Sequence, residues 1–196
     1  MARRFGKRLV RPTQEQIDEE IQRMRYWHRY KRSLRSAVYS LLVAAAAAVL
    51  VSTLWMPVLR ITGTSMAPTL GDGELVTAVK TGKFQQGDVI AFYYNNKILV
   101  KRVIATAGQW VDIDDMGNVS VDNVALEEPY IMEKSLGECN IELPFQVPDG
   151  RVFVMGDDRA ISLDSRTTTV GTVSHEQVLG RILYRVWPLR EMGKLQ

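Results

Sequence analysis

The chain of 196 residues changes its hydrophobic pattern twice. Between Arg35 and Arg60 lie 24 residues without a charge, Ser36 through Leu59, centred on the run Ala44–Ala48. As a helix rising about 1.5 Å per residue, such a run crosses the roughly 30 Å hydrocarbon core of a bilayer with some length left for tilt. Trp55 and Pro57 mark its far end, an interfacial aromatic followed by a residue that breaks helices. The 35 residues before it form a long basic head, and the apolar run exceeds the roughly 7–15 residues of a cleavable leader, so the pattern predicts an uncleaved anchor. The competing reading is the core helix of a soluble protein.

Upstream, Thr13 with Gln16 resembles a capping box after Pro12, and Ile17, Ile21, Met24, Trp27, Tyr30 and Leu34 recur at steps of three or four. This predicts a helix over 13–35, either lying along the inner leaflet or continuing the membrane helix into water. Downstream the period becomes that of strands. Glu74–Lys80, Asp88–Asn95, Ile98–Ala107, Trp110–Asp114, Arg151–Gly156 and Val178–Trp187 are rich in Val, Ile and aromatics, with turn residues such as Asn95-Asn96 between them. The predicted fold is therefore mainly β: an all-β outer domain with a single N-terminal transmembrane helix. Its segments are residues 1–35, 36–59 and 60–196.

Charge gives this arrangement a direction. Residues 1–35 hold 11 Lys/Arg against 4 Asp/Glu, a balance of +7, and the remainder hold 14 against 18, a balance of −4. A basic flank stays cytoplasmic, which puts everything after Arg60 outside. The basic head is thus a topology signal and implies no nucleic-acid partner. Cys139 is alone and forms no internal disulfide, and no Cys/His cluster has metal-ligand spacing, so neither a metal nor an organic cofactor is expected.

Three islands concentrate polar residues in apolar surroundings: 61–70, 99–105 and 155–166. In the first, Gly63 permits a bend and Pro68 fixes the exit, presenting the Ser65 hydroxyl on a rigid loop. A serine nucleophile needs a base. His28 precedes the anchor, and His175 sits in Ser174-His175-Glu176-Gln177, which looks like the start of a short helix, so a Ser–His–Asp arrangement is poorly supported. Lysine serves instead when burial disfavours its ammonium form, and Lys101, among Ile98, Leu99, Val100, Val103 and Ile104, has the most apolar surroundings of any outer-domain lysine. The alternative is that Lys101 and Arg102 are charged gatekeepers of an edge strand. In the third island Asp157, Asp158, Arg159, Asp164 and Arg166 follow an apolar strand, which suggests a packed loop holding paired Asp–Arg groups.

In this order and spacing the islands resemble the bacterial type I signal peptidase family, serine peptidases with a Ser–Lys dyad. Gly63-Thr64-Ser65-Met66-x-Pro68-Thr69-Leu70 is similar to the nucleophile box, Lys101-Arg102-Val103 to the base box, and Gly156-Asp157-Asp158-Arg159-x-x-Ser162-x-Asp164-Ser165-Arg166 to the closing box. Gly87-Asp88-Val89-Ile90 and Gly180-Arg181 also fit, and the similarity covers about residues 37–187. The short outer domain and single anchor look like the Gram-positive form.

The resemblance implies Ser65 as nucleophile, Lys101 as general base, Ser162 orienting the amine, and Asp164 and Arg166 bracing the loop. It implies an oxyanion hole at the Ser65 backbone N–H, with Gly63 standing where some members carry a second, serine donor. Asp158 departs from the asparagine most frequent at its position and adds a charge. The implied activity is removal of signal peptides from secretory preproteins at Ala-x-Ala type sites, by a single-pass plasma-membrane protein whose N-terminus is cytoplasmic and whose other partner is membrane lipid. The rival readings are a non-catalytic membrane scaffold and a soluble, self-cleaving Ser–Lys repressor-like protein. Phe92, Tyr93, Tyr94 and Trp110 are candidate bilayer contacts of the outer domain.

Overall fold

The computed structural model describes residues 14–195. Helix α1 runs without a break over Gln14–Trp55. Within it Tyr30–Leu50, of mean hydropathy 1.7, is long and apolar enough to cross a membrane. The stripe residues Ile17, Met24, Trp27, Tyr30 and Leu34 belong to this one helix and are exposed, while the expected cap at Thr13 lies outside the described residues. The predicted span to Leu59 is too long at its far end. Pro57 brings no N–H to a helix, and Val58–Arg60 is already a strand.

The β-rich part contains β1 (Val58–Arg60), β2 (Leu75–Val79), β3 (Val89–Tyr94), β4 (Lys97–Thr106), β5 (Trp110–Ile113) and β6 (Val119–Val121). It continues with β7 (Val124–Ala125), β8 (Phe145–Gln146), β9 (Arg151–Met155), β10 (Val173–Ser174), β11 (Val178–Trp187) and β12 (Gly193–Lys194). One antiparallel sheet has the order β1-β2-β11-β3-β4-β9-β10, with β12 added to β11. A second, of four strands, has the order β7-β6-β5-β8. The tight β3–β4 hairpin turns through Asn95 and Asn96, both at positive φ, the two-residue loop that matches strand twist.

Alternation along the strands builds separate apolar clusters on opposite faces. Val152 and Val154 of β9 pack with Ile90, Phe92 and Val103, whereas Phe153 and Met155 pack with Val111, Ile113, Val119 and Val121 of the smaller sheet. A third cluster joins Ile61, Met66 and Leu70 to Val76, Ala78, Val89 and Ala91, which seats the segment after β1 against the sheet. Phe92 is therefore core, 1% exposed, and is no bilayer contact. Tyr94 is half-buried, its hydroxyl donating to the Thr169 carbonyl, while Tyr93 and Trp110 remain exposed.

The site is set by how β4 pairs. Along β3 it is bonded from Lys97 to Arg102, but β9 joins its other edge only at Arg102, opposite Met155. Past Met155 the chain leaves β9 at Gly156, so the third polar island starts beside Lys101.

Candidate active site

The three polar islands meet at one point. Lys101 Nζ donates to Ser65 Oγ at 2.7 Å and to Ser162 Oγ at 2.9 Å. Lys101 is 2% exposed, and this burial, the main influence on its amine, lowers the pKa from 10.5 to about 8. Asp164, Asp157 and Asp158 pull in the opposite direction and Arg166 assists the lowering. Lys101 and Arg102 are both buried, so neither is an edge gatekeeper.

The loop after β9 is locked to Ser65. The Asp158 N–H donates to the Ser65 carbonyl at 3.1 Å, and the Ser162 N–H donates to the Asp158 carbonyl at 3.2 Å. Gly156 lies in the same contact: a Cβ there would sit 2.2 Å from Ser162 Oγ and 2.5 Å from the Ser65 carbonyl oxygen. Only glycine lets the two segments approach so closely.

Beneath this contact are buried Arg–carboxylate pairs. Asp164 accepts from Arg166 Nε and Nη2, both at 2.9 Å, and from the Gly156 N–H at 2.9 Å. Arg166 Nη1 also donates to the Leu136 carbonyl, tying the loop to the 126–144 segment. The other pairings cross the elements instead of staying within the island. Asp157 accepts from Arg102 Nε at 2.9 Å and Nη2 at 2.7 Å, and Thr69 Oγ1 also bonds Asp157. Arg159 is matched by Glu128, and the Arg102 guanidinium lies 3.9 Å over the Tyr130 ring. Burial and the neighbouring Glu128 carboxylate push the Tyr130 hydroxyl pKa up. Nothing in the sequence pattern singles out Glu128 or Tyr130, because they lie in an irregular segment with neither strand nor helix period.

The expected second oxyanion position requires correction. The Gly63 N–H donates to Asp72 Oδ1 at 2.8 Å, so the turn around Asp72 already holds it. His175 is likewise engaged elsewhere, its ring 5.3 Å from that of Phe84 in an edge-on contact. A cleft of about 440 Å³ opens beside Ser65 between β1 and the outer half of β4, lined by Leu59, Ile61, Met66, Ile98 and Val100 among others.

The family model for signal peptidase, peptidase S26, matches residues 34–187. The chain belongs to that family. Signal peptidase I of Bacillus licheniformis is 32% identical over 177 residues, covering 84% of this chain and 94% of the relative. Signal peptidase IB of Staphylococcus aureus (strain Mu50 / ATCC 700699) is 32% identical over 182 residues, covering 82% and 93%. Thylakoidal processing peptidase 1 of Arabidopsis thaliana, a chloroplastic protein, is 34% identical over 166 residues, 74% of this chain; the match spans 47%, about half, of that relative's length. A crystal structure of signal peptidase I from Enterococcus faecalis V583 aligns at 30% identity and a TM-score of 0.42, over 50% of this chain and 96% of that one.

Two smaller family features have a physical basis in this peptidase. Asp88 of the Gly87-Asp88 turn pairs with Arg181, Nη1 to Oδ1 at 3.1 Å. Gly180 before it passes so close to β2 that a Cβ would lie 2.7 Å from the Val79 carbonyl oxygen. The site thus joins a serine hydroxyl to a buried amine of lowered basicity.

Proposed function

We propose that the chain is a membrane-anchored endopeptidase that removes signal peptides from secreted preproteins, with Ser65 as nucleophile and Lys101 as general base. The observation that carries this reading is the buried Lys101 amine placed 2.7 Å from Ser65 Oγ and braced by Ser162. Neutral Lys101 takes the Ser65 proton as Oγ attacks the scissile carbonyl. The resulting ammonium returns a proton to the leaving amine, and the acyl-enzyme forms. The amine, neutral again, then activates the water that hydrolyses the ester. The Ser65 N–H has no partner in the protein among the described residues and is the oxyanion donor in this scheme.

The substrate enters as an extended strand in the cleft between β1 and the unpaired edge of β4. The aliphatic lining suits small apolar side chains, as in Ala-x-Ala. The helix over Tyr30–Leu50 crosses the plasma membrane, with the basic head cytoplasmic and the β domain outside. Incubating the detergent-solubilised chain with a preprotein carrying an Ala-x-Ala signal peptide tests the reading. The intact chain releases the mature protein and Ser65→Ala does not; equal cleavage by the two would sink the proposal. Protease added outside spheroplasts tests the orientation, by degrading the β domain and sparing the head.

A further inference from the structure

The turn that carries Ser65 runs over 64–70. Main-chain bonds close it, from the Ala67 N–H to the Thr64 carbonyl and from the Leu70 N–H to the Met66 carbonyl, each at 2.8 Å. It is fastened twice to one dipeptide of the loop after β9. The Ser65 carbonyl accepts from the Asp158 N–H, and the Thr69 hydroxyl donates to the Asp157 carboxylate. The same hydroxyl accepts from Arg102 Nη2 at 3.1 Å. Arg102 directly follows Lys101 on β4 and holds Asp157 through Nε and Nη2, in a pair whose side chains are at most 2% exposed. One oxygen of Thr69 therefore joins three segments: the Ser65 turn, the strand of Lys101 and the loop of Ser162. Among the described residues, Ser65 and Thr69 are the only side chains of the turn that bond the other two segments. Thr69 is not among the residues lining the cleft beside Ser65, and its carbonyl is held separately by Arg185 Nη2.

We propose that Thr69 is a positioning residue, whose hydroxyl fixes the Ser65 turn against the Arg102–Asp157 pair and so sets Ser65 Oγ at its working distance from Lys101. The inference rests on the reading of Ser65 as nucleophile and Lys101 as base. The Lys101 amine meets the turn at Ser65 Oγ, so the placement of that oxygen depends on how the rest of the turn is anchored. A hydrogen bond to an ionised group is short and directional, which makes the Asp157 carboxylate a firm anchor. A hydroxyl also suits the place because it both donates and accepts: it gives its proton to the carboxylate and takes one from the guanidinium. Valine keeps the branched shape and loses both bonds. The buried charges stay paired in that variant, because Arg102 keeps its two bonds to Asp157, the Gly87 carbonyl and the Tyr130 ring. Loss of the hydroxyl thus frees the turn without undoing the pair, and the effect falls on kcat because other residues line the cleft.

The test is steady-state cleavage of a preprotein with an Ala-x-Ala signal peptide, in detergent. The full-length chain is compared with Thr69→Val, Thr69→Ser and Ser65→Ala. Thr69→Val is expected to lose roughly 10- to 100-fold in kcat, the scale for a reacting group displaced by up to about an ångström, with KM within about twofold of the parent. Thr69→Ser restores the hydroxyl and is expected to keep kcat within about threefold. Parent-like kcat in Thr69→Val, equal losses in the valine and serine variants, or a change confined to KM overturns the proposal, even where Ser65→Ala is inactive and the dyad stands. If Thr69→Val does not fold, Thr69→Ala is assayed in its place against the same outcomes. Failure of both to fold beside a folded Thr69→Ser makes the hydroxyl a determinant of the fold and overturns the proposal as well. An active Ser65→Ala overturns both the proposal and the reading on which it rests.

Discussion

Gly156 and Ser162 touch so closely that a methyl group on the first would lie 2.2 Å from the hydroxyl of the second. The Ser65 carbonyl occupies the same space, 2.5 Å from the added carbon. Gly156→Ala must therefore push apart the two segments that contact Lys101. Cleavage should fall by at least about 100-fold, the scale expected when reacting groups are displaced by about an ångström. Assay of the folded variant checks this, and a rate within a fewfold of the parent would show that the contact is dispensable.

Ser162→Ala removes one of the two acceptors of the Lys101 amine and leaves Ser65 in place. A hydrogen bond to a charged or buried group contributes about 1–3 kcal/mol, so kcat/KM should fall roughly 10- to 100-fold. That is less than the loss in Ser65→Ala, because an orienting group is lost and the reacting one stays. Parallel kinetics of the two variants give the comparison.

Asp164 is fully buried and holds Arg166, which is also fully buried. Asp164→Ala leaves that guanidinium without its counter-charge, which costs about 3–5 kcal/mol. Thermal unfolding of the β-rich part should shift markedly downward. An unchanged transition would mean that the carbonyls of Ser135 and Leu136, which Arg166 also meets, suffice.

The lowered pKa of Lys101 links stability to pH. Folded, the amine titrates at about 8, below its ordinary 10.5, so between those values the unfolded chain binds more protons and stability rises with pH. Below 8 both states carry the charge and the cost of burying it is felt in full. Lys101→Met removes the titration. Its stability relative to the parent should therefore be most favourable below pH 8 and decline by up to about 3 kcal/mol toward pH 10.5. Melting curves of both proteins across that range decide it, and a pH-independent difference would show that the amine is not perturbed.

Much of this site is legible in the sequence because of where its residues fall. The six longer strand runs alternate or stay apolar over enough residues to be read; the Lys101 island falls inside one of them, the Ser65 island precedes the first, and the Ser162 island follows the run that ends at Gly156. The short strands, such as Val124–Ala125 and Phe145–Gln146, contain too few residues to carry a period. The sequence points to the type of ion pair but not to the partners. Asp157 reaches Arg102 and Arg159 reaches Glu128, contacts between distant segments that no local spacing encodes. Whether a backbone N–H is free is also a tertiary fact: the Gly63 N–H is taken up by Asp72, which turns back onto it. The helix boundary at Trp55 was legible in Pro57, but its precedence over the uncharged run became plain only with the pairing of β1.

The most direct test of the dyad is preprotein cleavage by Lys101→Arg, with His175→Ala assayed on the same substrate in detergent. Arginine keeps the positive charge but does not lose its proton in a protein, so it cannot serve as a base. With Lys101 as the base, Lys101→Arg should lose activity by a factor on the order of 10³, while His175→Ala, whose ring rests on Phe84, should cleave at the parent rate. Retained cleavage by Lys101→Arg together with its loss in His175→Ala would contradict the assignment.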